Sequence, residues 1–420
     1  MKILKSTLSI CPKCRIVVNA NVFEKKNEVF ITKNCEKHGR FVGKYVWSDY
    51  NIYKELGKIY KLNSKDKPNT ESKYVRDNSF FELILPFTQK CNLNCPICFV
   101  GSRKNIKELN QRELLKLVEQ KPELKSVALS EMEPTTRKDL VQIIKKLKKM
   151  NLNVSLITNG VKLSDLDYAK KIKESGIDEV AVSFDGLTKK PYMVLRGQNL
   201  LEKKLMAIDN LKKIGIPFRL SFTLMKGVND DQIGDIIDFC FKNNVKRLTI
   251  SSLFYGGKAR NLKSGAMTTS EIVKEFSQQC NVSVNDILEC CKKRYLEMQL
   301  YHFFNGMKTR EKICGMSCYL TQKENGYQSL NKTFKFKLDL TLLAMAWKTR
   351  KILYPFRRSL IKLNRTRKLI DKKVLDVLML RHMDLSNLDF DLIEDCSTLV
   401  LNSKSKEDTI TSYCLFVNSI

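Results

Sequence analysis

Three cysteines in the string TQKCNLNCPICF, Cys91, Cys95 and Cys98, form a C-x3-C-x2-C array directly after the apolar run FELILPF. Iron–sulfur cubanes are usually held by four thiolates. Three thiolates leave one iron open to a substrate or cofactor. A zinc site would instead want paired C-x2-C knuckles and a fourth ligand nearby. Knuckles of that kind do occur at the start of the chain. CPKC supplies Cys11 and Cys14, and CEKHG supplies Cys35 and His38. Together they suit a closed tetrahedral Cys3His site for zinc or a mononuclear iron, stapling a segment too small for much core of its own. The alternative is unpaired surface cysteines.

In the last third, Cys314 and Cys318 lie in KICGMSCYL, Cys396 in DFDLIEDC and Cys414 in SYCLFVN. Four thiolates from three segments could ligate an auxiliary [4Fe–4S] cluster. Cys240 reads as a core residue, whereas either member of the pair Cys290-Cys291 could be a ligand.

The elements that must position these groups follow from periodicity. Strand-like alternation (RIVVNANVFE, EVFITKN, RFVGKYVW) fills the first sixty residues, and a polar linker follows. Six candidate strands, FELILPF, SVALS, NVSLIT, EVAVSFD, FRLSFTL and RLTISSL, then alternate with periodic helices. That order implies a parallel sheet with right-handed crossovers, either a partial barrel or a doubly wound open sheet. In the barrel case the site lies at the C-terminal ends of the strands. Thr158-Asn159-Gly160 and Ser183-Phe184-Asp185-Gly186 end two strands there. Their polar groups suit hydroxyls and carboxylates, or ordinary turns. Arg196 is placed to pair with a carboxylate or phosphate, or to sit solvated at the surface.

The chain has 420 residues, ample for a large core, with no apolar run long enough to span a membrane. Fourteen cysteines at metal-ligand spacings favour a reducing, cytoplasmic setting over a disulfide framework. The net charge of +30 suits polyanions: nucleic acid, anionic lipid or phosphorylated substrates. It is spread along the chain and no nucleic-acid motif accompanies it, which disfavours nucleic acid. The stretch Lys332–Lys373 is strongly basic and carries an apolar face. It reads either as an amphipathic cover for the barrel or as a peripheral contact with the inner, anionic membrane face.

These motifs in sequence order resemble one radical S-adenosylmethionine (radical SAM) family. It contains the tetraether lipid synthase and the archaeal pterin dimethyltransferase. The resemblance rests on CPKC…CEKHG with WSD, KCNLNCPICF, SEMEPT, LITNG, VSFDGLTKKPYMVLRG, GVNDDQIGDIIDF and FYGGKAR, and thins toward the C-terminus. It implies a partial (β/α)6 TIM-like barrel with a rubredoxin- or zinc-ribbon-like N-terminal domain and a C-terminal auxiliary-cluster region. The expected division is 1–60 metal-binding, 61–79 linker, 80–262 core and 263–420 helical and auxiliary.

It also implies a [4Fe–4S] cluster on Cys91, Cys95 and Cys98, and S-adenosylmethionine beside Phe99, Glu133, Pro134, Thr158, Asn159, Ser183, Asp185 and Arg196. Glu133 would take the methionine amino group. Glu131 and Met132 stand where the family usually carries two glycines, which would hinder close backbone approach. The implied activity is reductive cleavage to a 5′-deoxyadenosyl radical, with electrons from a ferredoxin- or flavodoxin-type donor. Carbon–carbon bond formation on a lipid or similar substrate is the first expectation, and methylation of a pterin or other heterocycle the second. A degenerate or nucleic-acid-binding metalloprotein is the alternative of another class.

Overall fold

A computed structural model describes residues 1–60, 62, 82–100, 108–121, 124–262, 264–304, 313–324, 326–329, 373–393, 398–402, 409–412 and 414. The linker (apart from Leu62), Cys396 and residues 332–372 of the basic stretch lie outside them.

Four antiparallel strands open the chain: β1 (Lys2–Ile10), β2 (Val17–Lys25), β3 (Glu28–Cys35) and β4 (Gly39–Asp49). Between β2 and β3, Lys26 and Asn27 both take positive φ, as a two-residue hairpin turn matched to strand twist requires. The helix α1 (Tyr50–Gly57) is capped by Asp49, whose side chain accepts from the Ile52 N–H at 2.9 Å.

The second unit alternates β5 (Glu82–Pro86), α2 (Gln111–Glu119), β6 (Ser126–Ser130), α3 (Leu140–Lys149), β7 (Asn153–Thr158), α4 (Leu166–Glu174) and β8 (Glu179–Ser183). It continues through α5 (Lys189–Arg196), α6 (Leu201–Ile214), β9 (Phe218–Leu224), α7 (Ile233–Lys242) and β10 (Arg247–Ser252). Each strand pairs in parallel with the next. This is the partial barrel, and its six strands coincide with the six apolar runs. Val154, Leu156, Val180, Val182, Leu220 and Leu248 are buried against the helices.

The region expected to be helical holds more than helices. After α8 (Thr269–Cys280) and α9 (Val284–Phe304) come β11 (Gly315–Lys323), β12 (Gly326–Ser329), β13 (Val374–Leu380), a short helix α10 (Phe390–Ile393), β14 (Thr398–Asn402) and β15 (Thr409–Ser412). β13 adds in parallel beside β10, and β14 in parallel beside β5. Among the described residues the sheet therefore runs β12-β11-β13-β10-β9-β8-β7-β6-β5-β14-β15. Along VLDVLML, Leu375, Val377 and Met379 are buried while Leu378 between the last two is exposed, the alternation of a strand with one covered face.

The segment between β13 and α10 packs on the first sheet. Lys5, almost wholly buried, lies 2.8 Å from Asp389 and 2.7 Å from Asp391. The Tyr45 and Thr7 hydroxyls each donate to Asp389 at 2.6 Å. Lys33 Nζ donates to the Leu385 carbonyl at 2.6 Å, and a Cβ on Gly43 would strike the Ser386 carbonyl. Buried charge survives there because each partner is paired and hydrogen-bonded. Among the described residues no helix is long and apolar enough to cross a membrane.

Candidate functional site

At the first sheet, Cys11 and Cys14 sit on the β1–β2 turn, with Cys35 and His38 at the β3–β4 turn. The structure brings all four ligand atoms within 4.8 Å of one another. Cys14 Sγ lies 3.7 Å from Cys35 Sγ, and His38 Nδ1 lies 3.7 Å from Cys11 Sγ and 3.6 Å from Cys35 Sγ. Thiolates around one tetrahedral ion at ~2.3 Å stand about 3.8 Å apart, so the set fits a single ion. Burial works to raise the Cys11 pKa, but backbone N–H groups of Cys14 and Lys13 bring it down to about 6. A thiol so lowered is ready to ligate.

At the barrel mouth, the loop after β5 carries Cys91, Cys95 and Cys98, all partly exposed. Burial raises the Cys91 pKa, and the neighbouring charges of Glu133, Cys95 and Cys98 add to the rise. The sulfurs thus sense one another, yet they do not form a group within the 4.8 Å of a single-ion site. A cubane, whose thiolates point outward from separate irons, needs that wider spacing. The donor set fits a cluster better than an ion.

Glu133 is fully buried at the end of β6. Its Oε1 accepts from the Thr135 N–H at 3.1 Å and from the Thr135 and Thr158 hydroxyls at 2.6 Å each. Oε2 accepts from the Asn159 N–H at 2.6 Å. Oε2 therefore keeps the lone pair that an incoming ammonium would meet. Pro134 opens a buried 3-10 turn behind it. Asn159 also donates from its side chain to Asn92, 2.7 Å away on the cysteine loop.

Glu131 and Met132 adopt φ of +68° and +49°, the left-handed conformation that suits glycine. The glycine-type backbone path is kept and the strain is carried by side-chain-bearing residues, at about 1–2 kcal/mol each. Met132→Gly is expected to raise stability by about 1 kcal/mol in chemical denaturation. A loss of stability would contradict the strain.

Asp185, expected to face a ligand, is fully buried and committed to Arg196, with Nε–Oδ2 and Nη2–Oδ1 both 2.7 Å. Burial works to raise its pKa, but the Arg196 guanidinium holds the carboxyl below its ordinary range. Asp185 thus orients Arg196 beside Cys95. Phe99 meets Phe254 edge-on, centroids 6.3 Å apart.

Lys204, on α6, escaped the sequence reading. Wholly buried, its ammonium donates to the Asn159 carbonyl, to the Ser183 carbonyl at 2.7 Å and to the Ser183 hydroxyl at 2.9 Å. Burial lowers its pKa to about 8, partly offset by Asp185. The available clue was a lysine on the buried face shared with Ala207, Ile208 and Leu211.

Of the four cysteines expected to hold an auxiliary cluster, Cys396 lies outside the described residues. Cys318 is buried in mid-strand, with the Tyr319 N–H turned to Cys290 Sγ at 3.3 Å. Cys414 is buried in the main core, as are Cys240, Cys290 and Cys291.

Residues 85–240 match the model of the radical SAM superfamily, and residues 3–47 match the HMPTM N-terminal zinc ribbon domain. The 7,8-dihydro-6-hydroxymethylpterin dimethyltransferase of Methanocaldococcus jannaschii is 32% identical over 355 residues, covering 77% of this chain and 69% of that protein. A Pyrococcus abyssi protein named "Probable GTP 3',8-cyclase" is 36% identical over 165 residues, covering 39% of this chain and 53% of the other. The solved structure of Streptococcus suis SuiB bound to S-adenosylmethionine aligns with 16% identity and a TM-score of 0.40, over 61% of this chain and 52% of that one, a likeness too distant to bear on function. With its zinc ribbon at the N-terminus, this chain belongs to the radical SAM superfamily and is a radical SAM enzyme.

Proposed function

We propose that Cys91, Cys95 and Cys98 hold the [4Fe–4S] cluster and that S-adenosylmethionine lies between Glu133, Ser183 and Arg196, for methylation or a related substitution on a polar heterocycle. When bound, the two cofactors supply a 5′-deoxyadenosyl radical able to take hydrogen from an unactivated C–H bond. Glu133 Oε2 receives the amino group and the Ser183 hydroxyl faces the carboxylate, while the buried Lys204 ammonium spends its three protons on Asn159 and Ser183 and so holds those two strand ends in place. Asp185 fixes Arg196 against the cysteine loop. A one-electron donor of ferredoxin or flavodoxin type is the partner this chemistry needs.

The observation that carries the substrate reading is the barrel's inner face. In register across β8, β9, β10, β13 and β11 stand Ser183, Ser221, Thr249, Leu378 and Ser317, all partly exposed. Below them Glu179 binds Arg219 at 3.0 Å and Arg247 at 2.7 Å. Toward the other end of the sheet the residues are apolar: Ile84, Ala128 and Val400, with Phe99, Ile157 and Phe254 packed on them. An apolar cluster toward one end of the sheet and a row with four hydroxyls toward the other suit an aromatic ring with polar edges. An alkyl chain would leave that hydroxyl row without partners. This favours heterocycle methylation over lipid coupling, and the pterin named for the M. jannaschii relative is a substrate of that kind.

The test is anaerobic turnover with dithionite and S-adenosylmethionine, comparing a reduced pterin with an isoprenoid lipid. Deoxyadenosine formation stimulated by the pterin supports the reading; stimulation by the lipid alone overturns it. Lys204→Met is expected to weaken S-adenosylmethionine binding about tenfold to a hundredfold by releasing Asn159 and Ser183 from the charge-assisted hydrogen bonds that position them. Because only the ammonium form donates to Asn159 and Ser183 together, affinity should hold below pH 8 and fall above it. Equilibrium binding across pH checks both; an unchanged affinity in Lys204→Met would remove the residue from the site.

A further inference from the structure

We propose that the turn Gly257-Lys258, after β10, is a positioning element for the cysteine loop, and that Lys258 sets how readily a cluster held there accepts its electron. The inference rests on the reading of Cys91, Cys95 and Cys98 as cluster ligands.

The loop has few bonds of its own: the Cys98 N–H reaches the Cys95 carbonyl at 3.2 Å, and the Leu93 N–H reaches Cys91 Sγ at 3.4 Å. Its place is set from outside. The Lys258 N–H donates to the Cys98 carbonyl at 2.9 Å, and the Lys258 ammonium donates to the Asn94 side chain, next to Cys95. Gly257 has φ +53°, and a Cβ there would collide with the Cys98 and Phe99 carbonyl oxygens, the latter at 2.5 Å. Those are backbone atoms of the ligand-bearing loop, so no side-chain rotation relieves the clash. The turn is itself anchored, since Ala259 is fully buried in a cluster with Ile97, Leu195 and Leu253. Ile97 lies between Cys95 and Cys98, so the loop and turn share one apolar contact as well as two hydrogen bonds.

Two consequences follow. The backbone bond and the missing Cβ hold Cys98 in place, so they govern whether the cluster loads. The ammonium is a positive charge on the loop's outer side, and reduction adds a negative charge to the cluster. A fixed cation favours the reduced state, one of the levers by which protein sets cluster potential. Lys258 is exposed, so salt screens its effect.

The experiment reconstitutes the full-length wild type, Lys258→Met, Lys258→Arg and Gly257→Ala anaerobically. It measures iron content, the electron paramagnetic resonance of the reduced state, and the midpoint potential at low and high salt. Lys258→Met is expected to load iron like the wild type but with a more negative midpoint potential. That gap should shrink at high salt and be restored by Lys258→Arg. Gly257→Ala is expected to lose cluster iron while keeping its circular dichroism and its ribbon metal. Identical potentials for wild type and Lys258→Met at low salt would overturn the electrostatic role, and full loading of Gly257→Ala would overturn the positioning role. A wild type that takes up no cluster would overturn the reading of the loop itself.

Discussion

Cys95→Ala is expected to abolish 5′-deoxyadenosine formation and to remove the cluster iron while the ribbon metal stays. Two thiolates cannot hold a cubane that must also keep one iron open. Cys95 is central to the array: its carbonyl accepts the Cys98 N–H, and Arg196 is drawn to its sulfur. The side chain is only partly buried, so its loss leaves little cavity, and stability should move by no more than about 0.5 kcal/mol. Loss of activity, with an unfolding curve unshifted from that of the cluster-free wild type, is therefore the expected pair. Wild-type S-adenosylmethionine cleavage in this variant would show that the radical originates elsewhere.

Lys5→Ala is expected to cost about 3–5 kcal/mol in urea unfolding, the usual penalty for leaving one half of a buried ion pair. The ammonium faces Asp389 and Asp391 at 2.8 and 2.7 Å. Without it two carboxylates remain in the core, one wholly inaccessible. Burial alone would lower the lysine's pKa, yet the two aspartates raise it well above the ordinary lysine value. Burial would likewise raise Asp389, but Lys5 and the Thr7 and Tyr45 hydroxyls hold it below the usual carboxylate range.

The pH dependence follows from those directions. The Asp389 contribution is complete above the ordinary carboxylate pKa of about 4 and is lost as pH falls through its lowered folded value. The Lys5 contribution is complete below about 10.4 and is lost as pH rises through its raised folded value. A cost below about 1 kcal/mol near neutrality would mean that water reaches the aspartates once the lysine is gone.

The six barrel strands were legible because their apolar, β-branched runs are bounded by turn residues. The Cys3His knuckles were legible because ligand spacing within a turn is a local property. Lys204 was hidden by its residue type, since a lysine on a helix ordinarily points to water. DFDLIEDC read as a segment feeding a cluster because of Cys396. Two of its acids, Asp389 and Asp391, are buried against β1, more than 380 positions away. Pairing over that distance leaves no local trace. SEMEPT shows the same limit on a smaller scale, because a residue type does not reveal that its backbone holds φ above zero.

The bond from Lys5 to Asp391 joins residues 386 positions apart. At roughly 5–20 residues per second, a ribosome makes the second partner roughly 20–80 seconds after the first. The ribbon can close on its metal early, but for that interval its lysine has no counter-ion and its flank stays open. A nascent or truncated chain that lacks Asp389 and Asp391 therefore exposes a surface that the folded protein conceals.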